Sequence, residues 1–378
     1  MPIFLAFLAM GFADAVGPFV GLAKNEFHLS NAVATLIPFV GFSMFGLLSV
    51  PIGVFQDQHS KKFVLVMGLL VAFAGILNAT FGLSSFGRFL LTVLLLGAGA
   101  AILQVAGNPI MRDVSAQGKY SRNLSLGQFV KAIGSLCGPV IPVVAARYFG
   151  ASWKVIFPVF AVALLVTLLA VAGLRVDEKK PEHKAATFHS CLALLKKPYV
   201  LAMVAAIFMY VGAEVCVSAG IPLYLKERFD IDINRLGLVG TGLFFTALTM
   251  GRFSGGVILN WMSPRKFFLL TSGVSILGLL GLFLPGRTMA VSSFFVVGLG
   301  FANIFPLVFS IAVDSMPRNA NELSGLMVTA IVGGAILPPL MGFVADHSSV
   351  RLGFLVPLAA ILYVTCIAMM NLNSAKAS

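Results

Sequence analysis

Residues 94–115 read LLLGAGAAILQVAGNPIMRDVS, and residues 295–315 read FVVGLGFANIFPLVFSIAVDS. Superposing Gly97 on Gly298 and Gly99 on Gly300 also brings Asp113 onto Asp314, all at an offset of 201 residues. About 20 apolar residues in a helix cross the roughly 30 Å hydrocarbon core of a bilayer. Glycines in such a helix let a neighbouring helix approach closely. The two stretches therefore read as one membrane span present twice. A second pair agrees: LSLGQFVKAIGSLCGP (124–139) matches LSGLMVTAIVGGAILPP (323–339) with a one-residue adjustment.

Composition extends this reading to the whole chain. Of 378 residues, 59% are hydrophobic and 11% charged, whereas soluble domains carry about 25% charge. A water-soluble enzyme and a disordered chain are both excluded. Cys137, Cys191, Cys216 and Cys366 are scattered, with no disulfide framework or metal-ligand spacing. No nucleophile and base pair, metal cluster or phosphate loop is found, so no enzyme activity, bound metal or cofactor is expected.

Working outward, apolar stretches fall at 2–23, 31–55, 63–84, 89–111, 124–146, 155–174, 199–225, 236–261, 267–284, 289–313, 323–345 and 352–371. The expected fold is an all-α membrane protein of twelve transmembrane helices in two pseudo-symmetric six-helix bundles. The bundles are expected at 1–174 and 199–371, joined by a cytoplasmic linker at 175–198 and followed by a short tail at 372–378. Within the linker, FHSCLALLKK (Phe188 to Lys197) has the helical alternation of an interfacial segment. With the N-terminus inside, fifteen Lys and Arg fall in cytoplasmic loops against nine outside, which places both termini in the cytoplasm. The net charge of +12 is divided among short loops on both faces, so nucleic acid is not an expected partner.

Two related six-helix halves are the arrangement of major-facilitator transporters, whose substrate site lies between them near mid-membrane. After the second span, Gly53-Val-Phe-Gln-Asp57-Gln-His-Ser-Lys61-Lys62 matches the G-x-x-x-D-[RQ]-x-G-[RK]-[RK] loop of that superfamily, with Ser60 in place of glycine. The resemblance implies a gate at Gly53, Asp57, Lys61 and Lys62. The counterpart after span 8 runs from Gly256 to Lys266 and has Asn260 instead of the acid.

Charge inside a span is costly and marks function, and it is confined here to Asp14, Lys131, Glu214 and Arg252. Asp14 lies among Gly11, Gly17 and Pro18, which loosen the helix. Its carboxyl suits a proton carrier, and together with freed carbonyls it also suits Na⁺; a structural hydrogen bond is the alternative to both. Asp14 and Glu214 are 200 positions apart on the first span of each half, so each is the candidate repeat equivalent of the other. Glu214, with Tyr210 and Ser218 on its face, reads as a substrate or gating contact, or else as a structural hub. Gln128, Lys131 and Ser135 form a polar stripe on span 5, and Gln104 and Asn108 a shorter one on span 4. Amide and hydroxyl groups of this kind suit sugar hydroxyls, but they also serve as glue between helices. Asn303 joins this candidate substrate set, and Arg252 reads as a structural or gate residue.

LQVAGNP (103–109), SLGQFVKAIG (125–134), VGAEV (211–215), MGRFSGG (250–256), ANIFPLVFSIA (302–312) and GGAILPPLMGFVAD (333–346) resemble the fucose and glucose/galactose permease family. This resemblance implies cation-coupled symport of a monosaccharide by alternating access, with H⁺ or, in some relatives, Na⁺. It also implies a membrane-embedded monomer in a bacterial inner membrane, with a small-molecule substrate and lipid around it. Gln104 stands where the fucose permease carries glutamate, which brings the chain nearer the glucose/galactose branch. Asp14 is an approximate equivalent of that permease's first-span aspartate. Lys131 replaces the family's usual asparagine, and either pairs with Asp14 or receives an acidic sugar. Gly134-Ser-Leu-Cys-Gly138-Pro139 resembles the GxxxGP element of drug/H⁺ antiporters and supplies the rival reading.

Overall fold

The computed structural model describes residues 2–14, 19, 22–23, 26–29, 33, 36–173, 188–230 and 238–374. Among the described residues sixteen α-helices follow one another: α1 (Pro2–Asp14), α2 (Leu36–Gln58), α3 (Lys61–Thr80), α4 (Phe86–Asp113), α5 (Tyr120–Phe149), α6 (Ile156–Ala172), α7 (Phe188–Leu194) and α8 (Pro198–Phe229), then α9 (Leu238–Ile258), α10 (Pro264–Gly281), α11 (Arg287–Phe301), α12 (Ile304–Ser315), α13 (Ala320–Thr329), α14 (Gly333–His347), α15 (Val350–Gly353) and α16 (Leu355–Ser374). No strand occurs among the described residues. Nine helical stretches there are long and apolar enough to cross a membrane. With α1, α9 and α10 they account for the twelve expected segments. Most of the linker, 175–187, lies outside the described residues. The remainder begins with α7, which buries Cys191 and Leu194.

Local chemistry sets where these helices start and break. Ser60 accepts the Phe63 N–H at 3.1 Å and Ser85 the Arg88 N–H at 3.3 Å, capping α3 and α4. Pro198 and Pro264 open α8 and α10, where a missing N–H costs nothing. Inside a helix, proline instead strips the carbonyl four residues earlier of its partner. Pro109 does this to Val105, whose oxygen accepts the Ser324 hydroxyl at 3.0 Å. Pro306 does it to Ala302, whose oxygen accepts Arg252 Nε at 3.3 Å. The tenth span breaks there, with α11 ending at Phe301 and α12 starting at Ile304.

The chain forms two compact units. The first comprises Met1–Ser115, Val130–Ala193 and Pro317–Thr329; the second comprises Ala116–Phe129, Leu194–Met316 and Ala330–Ser378. Helix α5 thus passes from the second unit to the first between Phe129 and Val130, and the eleventh span makes the reverse passage between Thr329 and Ala330.

Inside each unit the repeat is visible as equivalent packing. In the first unit a side chain at Gly97 would strike the Gly41 carbonyl, and one at Gly99 would strike Ala72. In the second, Gly298 faces the Phe244 carbonyl and Gly300 faces Ser275. Both partners are displaced by 203 residues, so α4 lies on α2 and α3 as α11 lies on α9 and α10. Gly134 closes on the Leu8 carbonyl and Gly333 on that of Phe208. That offset of 200 also relates Asp14 to Glu214 along the backbone of α1 and α8.

Outside the spans, Glu26 accepts Lys154 Nζ at 2.6 Å and Trp153 Nε1 at 3.4 Å. These two bonds, the lysine first, hold its carboxyl below the usual 4.5. Stability from a lowered carboxyl is present above the unfolded value and is lost as the pH falls through the folded one. Each side chain is 35% exposed, so solvent limits the contribution to a few tenths of a kcal/mol. Lys154→Met should flatten the acid side of the melting profile by about that much. An unchanged slope below pH ~4.5 would show that the pair contributes nothing.

Candidate functional site

Helix α1 lies between two polar helices of the first unit. A side chain at Gly11 would strike the Lys131 carbonyl of α5, while one at Gly107 of α4 would meet Met10. The helix that ends at Asp14 is therefore flanked by the helices bearing Gln104, Asn108 and Lys131. Gln104 and Asn108 are buried, as is Lys131 at 8% exposure. The Gln104 Oε1 has no protein partner. Ser135 spends its hydroxyl on the Lys131 carbonyl at 3.2 Å. The Asp14 side chain, and with it the expected pairing to Lys131, lies outside what the structure describes.

The residues of the loop motif, expected to form a gate, fall in the same unit. Gly53 of α2 meets Gly325 of α13, where an added Cβ would lie 3.3 Å from the Gly325 Cα. Nearby, Gln56 Nε2 donates to Asn321 Oδ1 at 3.3 Å. Lys61 pairs with Asp113 at 2.5 Å, and Lys62 donates to the Ala172 carbonyl at 2.7 Å. The Asp57 side chain is outside the described residues. The second unit mirrors this arrangement: Gly256 meets Leu126 of α5, and Arg122 donates to Asn260, the residue standing in for the motif acid, at 3.3 Å.

Glu214, Arg252, Gln128 and Asn303 come together in the second unit. Arg252 is 5% exposed and reaches three groups: Glu214 Oε1 through Nη2 at 3.4 Å, the Gln128 carbonyl through Nη1 at 3.4 Å, and the Ala302 carbonyl through Nε. Asn303, next to the break in the tenth span, donates to the Gly251 carbonyl at 2.7 Å. The Tyr210 hydroxyl sits within electrostatic reach of Glu214 and Arg252 but short of a direct hydrogen bond. Gln128 Nε2 and Asn303 Oδ1 are buried without protein partners.

The polar stripe of α5 is thus divided, with Gln128 belonging to the second unit and Lys131 to the first. Sequence reasoning named each member of the Arg252 cluster separately. The Ala302 carbonyl was legible only through Pro306. Glu322 was missed altogether; it is buried on α13 and accepts from Ser190 of α7 at 2.8 Å and from Asn319 at 2.5 Å. Among the described residues no group of His, Cys, Asp and Glu is arranged to hold a metal ion.

The chain is apolar, helical and internally repeated, with polar groups buried in each unit, and known proteins are similar to it in sequence and fold. A glucose/galactose transporter of Brucella abortus is 27% identical over 90% of this chain and 86% of its own. An L-fucose-proton symporter of Haemophilus influenzae is 22% identical over 93% and 91%. The crystal structure of the transporter FucP in its outward conformation superposes with a TM-score of 0.82, at 18% identity, over 97% of this chain and 98% of that one. The family model of the Major Facilitator Superfamily matches residues 3–335. From the two-fold repeat, the twelve segments and this match, the chain belongs to the Major Facilitator Superfamily.

Proposed function

We propose that the chain is a secondary active transporter that brings a monosaccharide across a bacterial inner membrane together with a proton, by alternating access, with both termini in the cytoplasm. The observation that carries this reading is the set of buried amides at Gln104, Gln128 and Asn303, whose side chains keep polar atoms without protein partners. Amides that both donate and accept match the alternating demands of sugar hydroxyls. An exporter of apolar drugs has no comparable use for them. The relatives named for glucose, galactose and fucose point the same way, and the fucose symporter's name adds the proton. Asp14 is the proposed proton-carrying residue in the first unit; Gln104, Asn108, Gln128, Glu214 and Asn303 contribute to recognition.

Purified protein in proteoliposomes should accumulate labelled hexose when the outside is made acidic, to about tenfold per pH unit for one proton per sugar. A Na⁺ gradient should drive none. Asp14→Asn should abolish the accumulation. If neither gradient moves any sugar, the reading fails. Lys131 carries a second reading, in which the substrate is a sugar acid. Lys131→Asn should then weaken hexuronate uptake at least about tenfold relative to neutral hexose; an equal loss of both removes the case for an acidic substrate.

A further inference from the structure

We propose that Glu214 is a second proton-carrying residue, placed in the unit that lacks Asp14, and that its protonation frees Arg252 from its side-chain counter-charge. The proposal rests on the proton-coupled transport argued above and adds a site to it. Three features of the pair separate it from a static ion pair.

First, the pair is asymmetric. The Arg252 side chain is 5% exposed and that of Glu214 20%, so the carboxyl is the less enclosed of the two. Second, the contact is a single one at 3.4 Å through one guanidinium nitrogen. A structural pair between arginine and a carboxylate gains most when short and bidentate, and an ion pair in a low-dielectric interior has to be close to offset its desolvation. Third, Arg252 does not depend on Glu214 for its hydrogen bonds. Its Nε holds the Ala302 carbonyl that Pro306 leaves free, and its Nη1 holds the carbonyl of Gln128. Loss of the glutamate charge therefore leaves the guanidinium with both of its backbone acceptors.

The proton balance is simple. A carboxylate takes one proton from water and becomes a neutral carboxyl, Arg252 keeps its charge, and the pair changes from net zero to +1; release reverses both. Among the described residues, Arg252 and Tyr210 are charged or titratable groups that face Glu214. The other elements packed on α8 carry charge only at their ends: Asp314 in α12, Asp346 and His347 in α14, Arg287 in α11 and Arg351 in α15. Gln128 lies one residue before Phe129, the last residue of α5 that belongs to the second unit. Arg252 thus holds α5 within the second unit, through the Gln128 carbonyl.

Two measurements test this. In proteoliposomes, accumulation by Glu214→Gln under a one-unit pH gradient should fall from about tenfold to none, and the sugar counterflow it retains should no longer change with pH. Glu214→Asp should retain accumulation. In wild-type protein, dicyclohexylcarbodiimide, which attacks protonated carboxyls in apolar settings, should modify Glu214 increasingly as the pH is lowered, read by peptide mass spectrometry. Accumulation by Glu214→Gln at the wild-type level, or the absence of any pH-dependent modification of Glu214, overturns the proposal. The labelling uses unmutated protein, so it decides even if the glutamine variant does not fold. A wild type that moves no sugar would sink the sugar reading while leaving the labelling result to stand on its own.

Discussion

Arg252→Leu is expected to lower stability by about 3–5 kcal/mol, the usual cost of removing one partner of a buried ion pair. The reason is that the carbonyls of Ala302 and Gln128 lose their donor together, while Glu214 loses the guanidinium charge beside it. Glu214→Gln should cost clearly less, because those two carbonyls keep Arg252. The order of the two variants is the informative result. Melting of purified protein in detergent measures it, and an Arg252→Leu protein that melts at the wild-type temperature would contradict the assigned hub. The double change Arg252→Met with Glu214→Leu replaces the pair by apolar groups and should recover much of the loss. It should not recover transport, if Glu214 carries a proton.

Gly134→Val and Gly333→Val should each prevent accumulation of folded protein. At Gly134 a new Cβ would overlap the Leu8 carbonyl and approach the Gly11 Cα to 3.2 Å; at Gly333 it would overlap the Phe208 carbonyl, with the Phe208 carbonyl carbon at 2.8 Å. The obstructing atoms are backbone, so no rotamer change relieves them, and the helices must separate. Ordinary overpacking costs about 1–3 kcal/mol, and displacing two packed helices exceeds that range. Gly242 and Gly273 provide the internal control, since a Cβ at either meets nothing within 4 Å. Alanine at these positions should be neutral or add up to about 1 kcal/mol through helix propensity. Size-exclusion profiles of the four variants would show the contrast; monodisperse Gly134→Val and Gly333→Val would refute the close approach.

These cases show how far the sequence could be read. Glycine spacing at 97, 99, 298 and 300 exposed the repeat, because close helix packing leaves no substitute for glycine. Structural packing then matched those positions pair by pair. The four charges within spans were equally legible, since any charge stands out where 59% of residues are hydrophobic. Their partners were not. Glu214 and Arg252 are 38 residues apart on different helices, and no periodicity along one helix reports which face meets which. Lys61 and Asp113 were each noted, one in the loop motif and one in the repeat, without a sign that they pair. Glu322 went unnoticed because an acid near the start of a helix is unremarkable until burial and Ser190 single it out.

By itself, the sequence determined that this chain is a twice-repeated, twelve-span membrane protein with a small polar inventory, because hydrocarbon thickness and the cost of charge act on composition and order alone. The tertiary structure decided how that inventory is grouped. It divided the stripe of α5 at Phe129, leaving Gln128 with Glu214, Arg252 and Asn303 in one unit and Lys131 with Gln104 and Asn108 in the other. The physical reason is that hydrogen bonds and ion pairs depend on distances between helices, and those are set by where glycines permit contact and where prolines free a carbonyl.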